Sequence, residues 1–186
     1  MKLAHAGALA SFGLTRRAAL WQASEAGRAA GPLFDGRSRA TKQESPLQEM
    51  SVLQETLADL STMELTTGSH LLEHYRDALQ RDGILSAEAL KHVPTGRRVT
   101  TAGAVIVRQR PGTAKGFVFL TLEDETGLSQ AIVSPALFRE YRSTILTSPG
   151  LLVEGIVQNA EGQASVKAEK FWPLTGLQDV PSHDFR

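Results

Sequence analysis

"RQRPGTAKGFVFLTLEDETG", residues 108–127, passes through three chemistries: cations around Pro111 and Gly112, an alternating run, then acids closing on Gly127. The alternation decides how the middle is read. Side chains along a β-strand point to opposite faces in turn, so Val118, Leu120 and Leu122 share one face while Phe117, Phe119 and Thr121 share the other. Pro111 and Gly112 are turn formers, and Gly116 marks a bulge or tight bend where the strand begins. Glu123, Asp124 and Glu125 precede Gly127 as a hairpin turn would require. A carboxylate metal centre needs ligands converging from separate elements, which three consecutive residues do not supply.

Outward from this stretch the same period continues. From Arg97 onward five runs read as strands, 98–108, 116–123, 128–133, 150–158 and 163–174, and "PALFREYRSTIL" (135–146) between the third and fourth has helical spacing. Five strands with one helix after the third is the order of an OB-fold, a small Greek-key barrel that commonly binds oligonucleotides through its second and third strands and neighbouring loops. The expected class is mostly β with a helical N-terminal part: a five-stranded OB-fold barrel over 96–175, preceded by a helical connector over 46–95 and followed by a tail, 176–186.

A narrow barrel interior suits the aliphatic face, which leaves Phe117 and Phe119 outward beside Gln130 of the third strand. Outward rings need a cover. Single-stranded nucleic acid is one, because bases stack on aromatic faces without sequence-specific contacts; the helical connector and a partner subunit are the others. Charge placement favours the first. No acid lies between Glu88 and Glu123, whereas Lys91, Arg97, Arg98, Arg108, Arg110 and Lys115 all fall inside that gap. Arg108, Arg110 and Lys115 flank the first hairpin loop, which borders an OB-fold's groove, and are the expected phosphate contacts; solvated loop cations are the alternative. The candidate nucleic-acid-binding set is therefore Arg108, Arg110, Lys115, Phe117, Phe119, Thr121 and Gln130.

The N-terminal half carries helical signals. Residues 1–26 read as two short helices joined by a glycine turn, and 27–45, rich in glycine and scattered charge, as a linker. Ser45-Pro46-Leu47-Gln48 has the pattern of a capped helix start, with Leu53, Leu57 and Leu60 following at helical spacing. Ser69 is placed to cap a helix ending near Asp82-Gly83, and Ser86 to cap a short one through His92.

Composition excludes several classes. Lys plus Arg and Asp plus Glu each count 20, so attraction to a polyanion must be local. There are no cysteines, which removes disulfides, thiol nucleophiles and thiolate zinc sites and agrees with a reducing cytoplasm. No apolar run reaches the roughly 18–20 residues of a membrane span, and His5, Gly7, Ser11 and Gly13 interrupt the opening segment, so a signal peptide is not expected. His70 and His74 have the spacing of two zinc ligands but no third, and read as an exposed pair. No nucleophile elbow or phosphate loop occurs; no catalytic or metal-ligating residue is assigned.

"VIVRQRPGTAKGFVFLTLEDETG" (105–127), "LLVEGIVQN" (151–159) and the terminal "PSHDFR" (181–186) resemble the C-terminal end of bacterial error-prone DNA polymerase, a family related to the alpha subunit of DNA polymerase III. "AGALASFGLTRRAALW" (6–21) is similar to the tail of that family's helix-hairpin-helix region, making 1–26 its remnant, and "LTTGSHLLEHYRDAL" (65–79) to its connector, with His70-Leu71 where the family often has His-Pro. The resemblance implies DNA-damage-induced translesion synthesis by the full-length family, with Mg2+ at aspartates of a palm domain missing here. It also implies accessory mutagenesis proteins and the sliding clamp as partners. The expected function is single-stranded DNA binding by a C-terminal module without catalytic domains or a cofactor of its own; the alternative is a protein-interaction adaptor docking a polymerase or accessory subunit.

Overall fold

Gly7 and Gly13 take positive φ angles of 78° and 72° and break the first residues into helix α1 (Lys2–His5), a 3-10 turn (Ala10–Phe12) and helix α2 (Arg16–Ala26). The computed structural model describes residues 1–26, 45–63, 65–159 and 163–174, so most of the expected linker and the whole expected tail lie outside the described residues. Two units are distinguished, Met1–Thr66 and Thr67–Arg186, and their boundary falls within the expected 46–95 connector.

In the first unit, helix α3 spans Val52–Met63, six residues later than Ser45-Pro46 leads one to expect. The capping box is built by Ser51 and Gln54 instead: Gln54 N–H donates to Ser51 Oγ at 3.3 Å and Ser51 N–H to Gln54 Oε1 at 3.0 Å. Both serines have glutamine three positions on. Residues 45–51 are not helical, and the Gln48 carbonyl accepts instead from Arg17 Nη1 at 2.9 Å. A partly buried charge pair joins α2 to α3, with Arg16 Nη1 donating to Asp59 Oδ1 at 2.6 Å and reaching the carbonyls of His5 and Glu55.

The second unit begins with a 3-10 turn (Leu71–Tyr75) and helix α4 (Arg76–Arg81), then a two-residue strand β1 (Ile84–Leu85) and helix α5 (Ala87–Lys91). His70 supplies the cap of the 3-10 turn, its Nδ1 accepting the Leu72 N–H at 3.1 Å, where Ser69 was expected. Ser86 caps α5 as its sequence predicts, accepting from Ala89 N–H at 3.2 Å.

Five strands follow: β2 (Arg98–Gln109), β3 (Val118–Asp124), β4 (Gly127–Val133), β5 (Gly150–Val157) and β6 (Ser165–Pro173), with short helices α6 (Pro135–Glu140) and α7 (Arg142–Thr147) between β4 and β5. Their order is β2-β3-β4-β6-β5, with β5 pairing back onto β2. Long β2 makes the closure possible, since Ala104–Gln109 pair with β3 while Arg98–Ala104 pair with β5. This is the five-stranded OB-fold barrel expected from the alternation. Its interior holds Val118, Leu120, Leu122, Ala131, Val133, Leu151, Val153, Val157, Val166 and Phe171, each larger side chain contributing about 1.5–3 kcal/mol on burial. Wall spacing is set by glycine: a Cβ on Gly155 would stand 2.1 Å from the Lys167 carbonyl oxygen.

One carboxylate closes the β3–β4 hairpin and fastens the connector to it. Asp124 Oδ1 accepts from Thr126 N–H (2.8 Å), Thr126 Oγ1 (2.6 Å) and Gly127 N–H (3.1 Å), and Oδ2 from Ala87 N–H (2.7 Å) and Arg76 Nη2 (3.2 Å). Glu125 pairs with the same guanidinium through Nε and Nη2. The acids at the end of the opening stretch thus form a turn and a clasp.

Candidate nucleic-acid interface

Strict alternation in β3 sorts its residues as the sequence predicts: Val118, Leu120 and Leu122 are 3%, 0% and 1% exposed, while Phe119 and Thr121 are half-buried on the outer face; Phe117, just before the strand, is half-buried as well. Residues opposite one another in an antiparallel pair share a face. Phe119 stands opposite Ile132 and Thr121 opposite Gln130 on β4, and Phe119 is also opposite Gln109 on β2. The outer surface therefore carries an apolar row, Phe119–Ile132, beside a polar row, Thr121–Gln130. At its hairpin end lies Glu123 opposite the exposed Leu128.

Arg108 is not on that surface. The β2–β3 register shifts between Val105 and Val107, leaving Ile106 as an extra residue on β2. A bulge inverts the in–out parity of everything beyond it. Arg108 consequently faces Leu120 rather than Phe119, is 6% exposed, and donates to the carbonyls of Ile145 (Nε, 2.8 Å) and Ser148 (Nη2, 2.6 Å). It pins the end of α7 and the turn into β5. The expected phosphate contact is a buried structural cation.

Other cations of the acid-free stretch are also engaged. Lys91 pairs with Glu88 at 2.6 Å, and this contact holds the exposed Glu88 carboxyl below its ordinary range, the Lys91 hydrogen bond being the largest cause. Arg98 pairs with Glu154 at 3.3 Å and Glu169 at 2.9 Å. Arg110 and Lys115 remain exposed on the β2–β3 loop and form no ion pair among the described residues. Arg110 lies over the Phe138 ring, 5.7 Å from its centroid. Lys115 has φ of 50° and Gly116 φ of 84°, a tight left-handed pair that turns the loop into Phe117. Phe119, Thr121 and Gln130 thus share the outer face of β3 and β4, Arg110 and Lys115 lie exposed on the loop that leads into β3, and Arg108 is buried away from both.

Two neighbours were not foreseen. Lys167 on β6 lies beside Ile132 through the parallel β4–β6 pairing and is exposed, so it extends the Phe119–Ile132 row with a cation. Phe138 sits on α6, packs against the core and supports Arg110. Alternation in "SVKAEKFW" places Lys167 outward, but only the parallel pairing says beside what. His70 is occupied as a cap. Among the described residues no cluster of three or more His, Cys, Asp or Glu is gathered around a metal position, and no helix is long and apolar enough to cross a membrane.

Residues 99–174 match the family of OB-fold nucleic acid binding domains. The error-prone DNA polymerase of Mycolicibacterium paratuberculosis is 40% identical over 184 residues, a match covering 99% of this chain and 17% of that protein. That of Caulobacter vibrioides is 40% identical over 194 residues, covering 96% of this chain and 17% of the relative. This chain therefore spans 17% of the length of these curated relatives. Among solved structures, asparaginyl-tRNA synthetase from Pyrococcus horikoshii, complexed with asparaginyl-adenylate, aligns with a TM-score of 0.43 at 28% identity, covering 49% of this chain and 22% of that one. The chain carries an OB-fold domain and is homologous to the C-terminal region of error-prone DNA polymerases.

Proposed function

We propose, from that homology as premise, that this chain is the single-strand-guiding part of an error-prone DNA polymerase and that the strand lies on the outer face of β3 and β4. One observation carries the reading: Phe119 is presented on the outside of a closed barrel, with Phe117 at the same end and the exposed Arg110 and Lys115 on the adjoining loop. A base stacks on an aromatic face for about 1–3 kcal/mol whatever its identity, and neighbouring cations neutralise phosphates. Thr121 and Gln130, opposite each other, add hydrogen-bonding groups that suit any base. Sequence-tolerant binding is what a polymerase copying damaged template requires, and the homology supports assignment to DNA-damage-induced translesion synthesis.

In this proposal nucleotidyl transfer and its Mg2+ belong to parts of the relatives that this chain does not span, so the chain binds DNA and does not polymerise it. Its partners are single-stranded DNA, the remainder of an error-prone polymerase, accessory mutagenesis proteins and the sliding clamp, in the cytoplasm. Titration of a fluorescent single-stranded oligonucleotide at low salt tests the reading. Saturable binding is expected, with a log–log salt slope of about −1.4 from two phosphates at about 0.7 each, and Phe119→Ala weakens it about tenfold. Absence of saturable binding overturns the proposal. Unchanged oligonucleotide affinity in Phe119→Ala, together with loss of a co-purifying protein, would assign the face to an adaptor instead.

A further inference from the structure

Phosphate neutralisation does not account for how Arg110 is held. Its guanidinium carbon lies 5.7 Å from the Phe138 ring centroid, inside the roughly 6 Å at which a ring attracts a cation. Phe138 belongs to α6 and packs on the barrel core, so the ring is a fixed support. The loop runs alongside: a Cβ on Gly116 would come 3.7 Å from Arg110 Nη2 and 3.4 Å from Pro135 Cγ. That approach follows Lys115, whose φ of 50° lies in the left-handed region that side-chain-bearing residues seldom adopt. The Phe138 ring and the Gly116 turn thus both stand close to the guanidinium, yet Arg110 remains exposed.

A point charge meeting a phosphate requires none of this, and a flexible lysine would serve. A planar guanidinium differs in having two faces and in stacking on aromatic planes, so arginine and lysine are not interchangeable where stacking is the task. Unpaired bases stack on arginine planes as well as on aromatic rings. We infer that Arg110 is a base-stacking shelf: Phe138 occupies one side of the guanidinium as a positioning residue, and the other takes a nucleobase of an unpaired strand at the loop end of the β3–β4 face. The inference rests on the nucleic-acid reading above and adds to it a third platform beyond Phe117 and Phe119.

The test compares the wild-type chain, Arg110→Lys and Phe138→Leu, each titrated with an oligothymidylate of about ten nucleotides, within the range of a single OB-fold site, and with a fully abasic oligomer of equal length. Arg110→Lys retains the charge, so its salt slope stays at the wild-type value while affinity for oligothymidylate falls about tenfold and affinity for the abasic oligomer does not change. Phe138→Leu gives the same selective loss, and the double variant is no weaker than either single one. Because Arg110 is exposed, Arg110→Lys decides the matter even if Phe138→Leu folds poorly. Wild-type-like binding of both oligomers by Arg110→Lys, or an equal loss on both, removes the shelf and leaves a point charge. Failure of the wild-type chain to bind oligothymidylate overturns the nucleic-acid reading itself, and the shelf with it.

Discussion

Replacing Asp124 with asparagine changes one oxygen to an amide nitrogen at the point where the barrel and its connector helices are joined. The Asp124 side chain is 1% exposed and accepts from five donors in two groups. Asparagine can turn its remaining oxygen toward Thr126 and Gly127 and keep the hairpin turn. Its amide then faces the Ala87 N–H, which Asp124 Oδ2 satisfies at 2.7 Å, and the Arg76 guanidinium at 3.2 Å. Arg76 keeps Glu125 as a partner, so its charge is not orphaned. The Ala87 N–H is, at about 1–3 kcal/mol, and the lost charge-assisted bond to Arg76 adds about 1.5–3 kcal/mol before relaxation. Together these span about 2.5–6 kcal/mol; with the freed groups relaxing toward Glu125 and the new amide, the expected loss is about 3 kcal/mol, the lower end of the roughly 3–5 kcal/mol seen when one member of a buried ion pair is removed.

The two tryptophans fall in different units, Trp21 in Met1–Thr66 and Trp172 in Thr67–Arg186, so urea and thermal unfolding followed by fluorescence in a Trp21→Phe background report on the barrel unit. Asp124→Asn is expected to lower its midpoint by about 12 °C, at about 4 °C per kcal/mol for a unit of this size. Asp124→Ala, which also strips the turn donors of their acceptor, is expected to cost more. A loss under about 1 kcal/mol with an unchanged urea m-value would refute the reasoning, because the connector would then be held by something other than this carboxylate.

Two further expectations concern the barrel wall. Arg108→Met removes two charge-assisted bonds to the carbonyls of Ile145 and Ser148 and lowers stability by about 2–4 kcal/mol, while the salt slope of oligonucleotide binding stays unchanged; a slope smaller by about 0.7 would put the guanidinium on a phosphate and contradict its burial. Gly155→Ala sets a methyl 2.1 Å from the Lys167 carbonyl oxygen, which backbone movement alone can relieve, so a cost of about 2 kcal/mol or more is expected in urea unfolding, and a neutral effect would contradict the β5–β6 register.

Periodicity alone carries the barrel. All five strand runs appear within a few residues of their expected bounds, since alternation is a property of the backbone's two-residue repeat and of which side chains tolerate water, both local to the chain. The outward placement of Phe119, Thr121 and Gln130 is legible for the same reason. Helix starts are less so, because Ser45 and Ser51 each precede a glutamine by three residues, and the choice between them is expressed in Arg17 reaching the Gln48 carbonyl from another helix.

What the amino-acid order by itself determined here is a closed five-stranded barrel with aromatic rings outside and cations in its first loop. Tertiary structure decided which of those cations meet solvent and what stands beside them. A bulge at Ile106 exists only relative to β3, and it turns Arg108 inward against Leu120. Lys167 comes beside Ile132, and Phe138 beneath Arg110, across separations that no local pattern encodes. Parity beyond a bulge and adjacency across a sheet are set by hydrogen-bond register between distant segments, and register is fixed only when the whole core is packed.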